Sequence, residues 1–136
     1  MKLSPYILFS GNAEEAVNFY AEVLSGEVLM ISRFADSPQP VDEDWKQKIM
    51  HARIAFGKDN ILMISDGFKG YDAPKESNIQ LSIEIDSVEE INAVFEKLSA
   101  GGEVKMALQD TFWGARFGML KDKFGISWML NHELKK

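Results

Sequence analysis

The chain has 136 residues, no cysteine, 46% hydrophobic residues and a formal net charge of -6. That length suits one domain, large enough to bury roughly two thirds of its unfolded surface without staples. The composition excludes disulfides, thiolate metal sites and a cysteine nucleophile, and its scattered positive charges argue against a nucleic-acid partner.

Leu3 to Ser10 predicts a first strand, closed by Gly11-Asn12. Asn12, with Glu15 three residues on, comes close to a capping box. Ala13, Ala16, Val17, Tyr20, Val23 and Leu24 then follow at helical spacing up to Gly26, a helix stop. Glu27 to Phe34 reads as the second strand. Ala35 to Lys48 reads as a loop, or a short helix around Trp45. Ile49 to Phe56 and Ile61 to Asp66 complete a first unit, with Gly57 to Asn60 as a hairpin turn. Asp66, before a glycine, reads as a turn former. Gly67 to Ser77 is rich in Gly, Pro and charge and is the expected linker.

The second half repeats this order. Ile79 to Asp86 is a strand, and Ser87 with Glu90 is an S-x-x-E capping box. The helix that follows buries Val88, Ile91, Val94, Phe95 and Leu98 and stops at Gly101-Gly102. Strands are expected at Val104 to Asp110, Ala115 to Lys121 and Ile126 to Asn131, and Trp128 is assigned to the core. Asn12-Ala13-Glu14-Glu15 returns as Ser87-Val88-Glu89-Glu90, and Gly26-Glu27-Val28 as Gly102-Glu103-Val104. Arg53 to Asp59 returns as Arg116 to Asp122, and Met63-Ile64 as Met129-Leu130. Such a repeat means one supersecondary unit used twice, about 1–66 and 78–134.

Several segments carry a family resemblance: Phe9-Ser10-Gly11-Asn12-Ala13-Glu14-Glu15-Ala16, Met50-His51-Ala52, Ser65-Asp66 and Thr111-Phe112-Trp113-Gly114-Ala115-Arg116-Phe117-Gly118. The last continues into Lys121-Asp122-Lys123-Phe124-Gly125-Ile126-Ser127-Trp128. With the doubled βαβββ order, these resemble the PhnB-like branch of the vicinal-oxygen-chelate superfamily, which includes glyoxalase I, extradiol dioxygenases and bleomycin-resistance proteins. The resemblance implies an α+β fold of two βαβββ half-barrels around a cleft, commonly a homodimer. Active relatives place a metal ligand on the first and last strand of each unit. Carried across, those positions are Pro5, Met63, Gln80 and Met129. Only Gln80 offers an oxygen, and thioethers suit Cu(I) rather than hard divalent ions. The expectation is therefore no metal and no cofactor. Neither a phosphate loop nor a dinucleotide fingerprint occurs, and nothing supports the ubiquinone-methyltransferase label that the group has carried.

If those four positions face inward, strand alternation also turns Ile7, Phe9, Ser65, Ser82, Glu84, Ser127 and Asn131 inward. His51 and Arg53 join them, and Arg53 matches Arg116 as a two-arginine clamp for a carboxylate or phosphate. Arg53 could instead pair with an acid such as Glu84. Trp113 could stack on a ligand or form a dimer contact. His132 is assigned to the surface. The resulting expectation is a cytoplasmic small-molecule binding protein. Its ligand would be partly apolar, with an anionic or polar end held by Arg53, Met63, Gln80, Trp113, Arg116 and Met129. The alternatives left open are an enzyme using His51 or Glu84 as acid or base, and a regulatory or structural dimer. No apolar run reaches the ~20 residues of a membrane span, so no membrane partner is expected.

Overall fold

The computed structural model describes residues 1–134 and divides into two compact units, Met1–Ala73 and Pro74 onward. The first unit runs β1 (Tyr6–Phe9), α1 (Ala13–Val23), β2 (Glu27–Arg33), β3 (Ile49–Phe56) and β4 (Asn60–Asp66). Two 3-10 turns, Phe34–Asp36 and Glu43–Trp45, lie between β2 and β3. The second unit runs β5 (Leu81–Glu84), α2 (Val88–Ser99), β6 (Glu103–Asp110), β7 (Ala115–Lys121) and β8 (Ser127–Glu133). Sheet order is β1-β4-β3-β2 in the first and β5-β8-β7-β6 in the second. In both, the strand before the helix pairs parallel to the last strand, and the other neighbours are antiparallel. The architecture is α+β, with the βαβββ order used twice. No helix among the described residues is long and apolar enough to cross a membrane.

Each sheet packs one face on its helix. Ala16, Val17 and Tyr20 of α1 are buried with Ala52, Ile54, Leu62 and Ile64 of the first sheet. In the second unit Ile91 and Leu98 are buried with Leu120, Trp128 and Leu130. Alternation along β4 and β8 turns Met63 and Met129 the other way, onto a face without a helix. Trp128 sits in the core as expected. Its indole N–H donates to buried Asp122 at 2.8 Å, while the other carboxylate oxygen of Asp122 closes the turn by accepting from the Phe124 and Ile126 amides.

The helix ends differ from the expectation in instructive ways. The Asn12 side chain makes no capping hydrogen bond. Asp66, buried at the end of β4, does that work: one oxygen accepts from the amides of Gly11 (2.8 Å) and Ala13 (2.9 Å), the other from Ile49 (2.9 Å). It is therefore more than a turn former, tying β1, α1 and β3 to β4. In the second unit Ser87 caps α2 directly, accepting from the Glu90 amide at 3.0 Å. At the other end of α1, Ser25 rather than Gly26 takes the left-handed conformation, with φ 51°. Gly26 is needed because a Cβ there would lie 2.8 Å from the Ala55 carbonyl oxygen. After α2, Gly101 (φ 77°) and Gly102 divide the same two tasks.

The expected linker, 67–77, contains the boundary between the units. Its start is tied to the first unit, where the Ala73 amide donates to the Ser10 hydroxyl at 2.8 Å. Further on, Lys121 of the second unit donates to the Lys75 carbonyl at 2.7 Å and to Glu76 at 3.1 Å.

Candidate functional site

The helix-free face of the first sheet gathers side chains by register. Tyr6 lies opposite Met63 on β4, and Met63 lies opposite Arg53 on β3. His51 shares the face two residues from Arg53. The phenol of Tyr6 and Nδ1 of His51 are 2.9 Å apart, with ring centroids at 5.4 Å. The phenol donates when Nδ1 is bare and accepts when Nδ1 carries the ring hydrogen. The face is wet: Tyr6 is 48% exposed and Leu8 43%.

This register corrects two expectations. Pro5, Ile7 and Phe9 alternate onto the helix side, and Phe9 is buried there. Tyr6 and Leu8 occupy the open face instead. The repeat misleads by one residue: Asn12 and Ser87 occupy matching positions just before their helices, but Leu8, two beyond Tyr6, corresponds to Glu84, two beyond Ser82, which lies opposite Met129. The turn between β1 and α1 is one residue longer than its counterpart. It includes Gly11 at φ 104°, whose amide is one of those held by Asp66. Gln80 keeps the parity of Ser82 and Glu84 but precedes β5.

The second correction concerns the arginines. Met119, not Arg116, lies opposite Met129 and so matches Arg53 opposite Met63. Arg116 shares parity with Gly118 and Leu120 and turns to the helix side. There its Nε donates to Asn92 of α2 at 2.8 Å and its Nη1 to Asp110 at 3.0 Å. Arg33 is also engaged, forming a two-point pair with Glu14 (3.0 and 3.1 Å). That pair holds the Glu14 carboxyl below its ordinary value, chiefly through the hydrogen bond from Arg33. Arg53 differs: its contact is a long one of 3.8 Å to the Met63 sulfur, and among the described residues no carboxylate lies in ion-pair range. Glu84, its proposed partner, instead accepts from the Asn131 amide at 3.0 and 3.1 Å.

The open face of the second sheet carries Ser82, Met129 and Met119 in one row and Glu84, Asn131 and Phe117 in the next. Trp113, in the β6–β7 turn, lies 6.2 Å from the Phe117 ring. His132, assigned to the surface, is partly buried and donates through Nδ1 to the Ile85 carbonyl at 2.7 Å. Sequence reasoning missed Tyr6, Leu8, Phe117 and Met119, and alternation alone could not have found them, because β1 and β7 carry large apolar residues at both parities. A hollow of about 310 Å³ among Phe34, Ala35, Ser37, Gln39, Pro40, Val41 and Lys46 takes in none of the expected site residues.

The positions that hold metal in chelating proteins of this type are a poor fit here. By register Tyr6 stands opposite Met63 and Ser82, rather than Gln80, opposite Met129, so these positions supply a phenol, a hydroxyl and two thioethers, whereas hard divalent ions require several carboxylate, carbonyl or imidazole donors. Among the described residues no group of three or more His, Asp or Glu is placed to hold a metal ion.

A family model described as 3-demethylubiquinone-9 3-methyltransferase matches residues 1–131. Protein YjdN of Escherichia coli is 33% identical over 141 residues, covering 96% of this chain and 95% of YjdN. Protein PA1353 of Pseudomonas aeruginosa superimposes with a TM-score of 0.87 at 41% identity, covering 98% of each chain. The PhnB protein of Bacillus cereus does so with a TM-score of 0.81 at 30% identity, covering 97% of this chain and 99% of that one. At 15% identity, FosX of Listeria monocytogenes, solved with Mn(II) and sulfate, shares the fold with a TM-score of 0.66, over 97% of this chain and 91% of that one. The methyl donor implied by the family description finds no cradle at the β1–α1 turn, where the Gly11 and Ala13 amides are already given to Asp66.

Proposed function

We propose, from the premise that this chain belongs to the PhnB-like 3-demethylubiquinone-9 3-methyltransferase family of vicinal-oxygen-chelate fold, that it binds a small, partly apolar ligand with an anionic end and does so without a chelated metal. The observation that carries this reading is Arg53. It is exposed on a sheet face beside Met63, Tyr6 and His51, while both other arginines are in ion pairs. A guanidinium free of carboxylates binds a carboxylate or phosphate through two parallel hydrogen bonds. Met63 and Leu8 supply a deformable apolar bed for the rest of the ligand.

The test is a calorimetric screen of small carboxylates and phosphates bearing apolar groups, on metal-stripped protein. The reading requires binding that survives chelation and weakens in Arg53→Gln. Binding that appears only with added Mn, Ni or Zn would overturn it.

A second reading, an acid–base enzyme, is favoured by one contact, the 2.9 Å bond between Tyr6 and His51. It requires turnover of the bound ligand that is lost in Tyr6→Phe while binding persists. Homodimer formation is also part of the proposal. Edge strand β2 exposes Val28, Leu29, Met30 and Ile31 in succession, an apolar edge that isolated sheets avoid. Sedimentation should give a dimer that Ile31→Lys weakens, and a monomer at every concentration would remove this element.

A further inference from the structure

The helix-free face of the second sheet is chemically unlike that of the first, and we infer that it binds a flat aromatic ligand carrying a positive charge, such as a protonated arylalkylamine. Three strands build it. Glu84 on β5 lies opposite Asn131 on β8, which lies opposite Phe117 on β7. One row along, Met129 lies opposite Met119. All five side chains share one side of the sheet, and none is fully buried although three are large and apolar.

The rings are presented firmly. Trp113 is 59% exposed and sits edge-on to Phe117, with centroids 6.2 Å apart and planes at 62°. Its turn is braced at the base: the Thr111 amide donates to the Ala115 carbonyl at 2.7 Å, and the Ala115 amide to the Thr111 hydroxyl at 3.2 Å. The Leu134 amide, just beyond β8, donates to the Gly114 carbonyl at 3.0 Å. An exposed indole on a braced turn loses little freedom when a planar ring stacks against it.

Charge selects the ligand. Among the described residues, no Lys or Arg pairs with Glu84, whose carboxylate is oriented by the single Asn131 amide through both oxygens. Arg116 would have reversed the sign of this face, but it points to the helix side and is spent on Asp110 and Asn92. Glu84 stands two strands, about 10 Å, from Phe117, so its carboxylate takes the cationic end of the ligand while the rings take the flat end. Methionines alongside adapt to the outline of the ring system. This site does not rest on the Arg53 reading, since the two faces differ in charge and in residues.

The test is calorimetric titration of the full chain with tryptamine (cationic), 3-ethylindole (neutral) and indole-3-propionate (anionic). The inference expects tryptamine to bind at least tenfold more tightly than 3-ethylindole. Glu84→Gln, nearly isosteric, should abolish that preference while leaving 3-ethylindole binding unchanged. Trp113→Ala should weaken both by about the same factor, and Arg53→Gln should leave tryptamine unaffected. No binding of any probe, as when a second copy covers the face, would overturn the inference, as would a preference for tryptamine that survives Glu84→Gln. Failure of tryptamine with intact, Arg53-dependent binding of an anionic ligand would sink this site alone and spare the proposed function.

Discussion

The two halves of this chain have one topology and two chemistries. Both are βαβββ units with the same strand order, a helix on one face and a methionine at the centre of the other, Met63 or Met129. Around those methionines the residues diverge. The first half surrounds Met63 with a phenol, an imidazole and a guanidinium, those of Tyr6, His51 and Arg53. The second surrounds Met129 with a thioether, an amide, a phenyl ring and a carboxylate, those of Met119, Asn131, Phe117 and Glu84. Their anchoring diverges as well. Asp66 reaches from β4 to three backbone amides, whereas the matching position on β8, after Asn131, is His132, which donates to a carbonyl. A duplicated backbone constrains where side chains point and which pairs meet. It leaves open which charge stands there.

The sharpest way to break this comparison is at the anchors. Asp66→Ala strands three buried or partly buried amides and should cost roughly 4 kcal/mol in chemical denaturation. A loss below about 1 kcal/mol would mean that water replaces the carboxylate without penalty. In the binding comparison, Arg53→Gln should weaken an anionic ligand by about tenfold or more, equivalent to ~1.4 kcal/mol. Arg116→Gln should leave that affinity unchanged and shift stability by less than about 1 kcal/mol, as an exposed pair would. Equal effects of the two substitutions would restore the symmetric clamp that the register denies. Ser87→Ala, the local cap of the second half, should cost only about 1 kcal/mol, well short of Asp66→Ala.

The smallest effect is that of acid. Arg33, Lys69 and Lys121 hold Glu14, Asp44 and Glu76 below their ordinary values of 4.5, 3.8 and 4.5, chiefly by hydrogen bonding. A carboxyl whose folded pKa is lowered stabilises the fold above its unfolded pKa and loses that contribution as pH falls through the folded value. Stability should therefore decline modestly below about pH 4.5, and less so at high salt, because all three groups are exposed. Two of the three lie in the first half, so amide exchange at pH 3 should rise sooner there. A uniform rise across both halves would contradict this.

Much of the fold was legible. Helical spacing in 13–24 and 88–98, the capping box at Ser87, and the strand–turn–strand pairs made the doubled unit readable, because each signal is local and periodic. The site was legible only in part. Met63, Met129, Arg53, His51 and Glu84 lie on the helix-free faces to which alternation assigns them, since their neighbours along β3, β4, β5 and β8 turn toward the helices. Pro5 did not, because one extra residue at Gly11 shifts the strand against the helix. Arg116 did not, because its match to Arg53 followed similar letters rather than paired strands.

By itself, then, the sequence determined the element order, the duplication and the helix-facing core, all of which follow from hydrophobic period and turn chemistry acting over a few residues. Only the tertiary structure decided that Tyr6 takes Pro5's expected place, that Asp66 stands in for Asn12, and that Arg116 is spent while Arg53 is free. Each of those outcomes depends on strand register and on partners 6 to 57 positions apart. No local pattern encodes which of several nearby acids and amides a long side chain will meet.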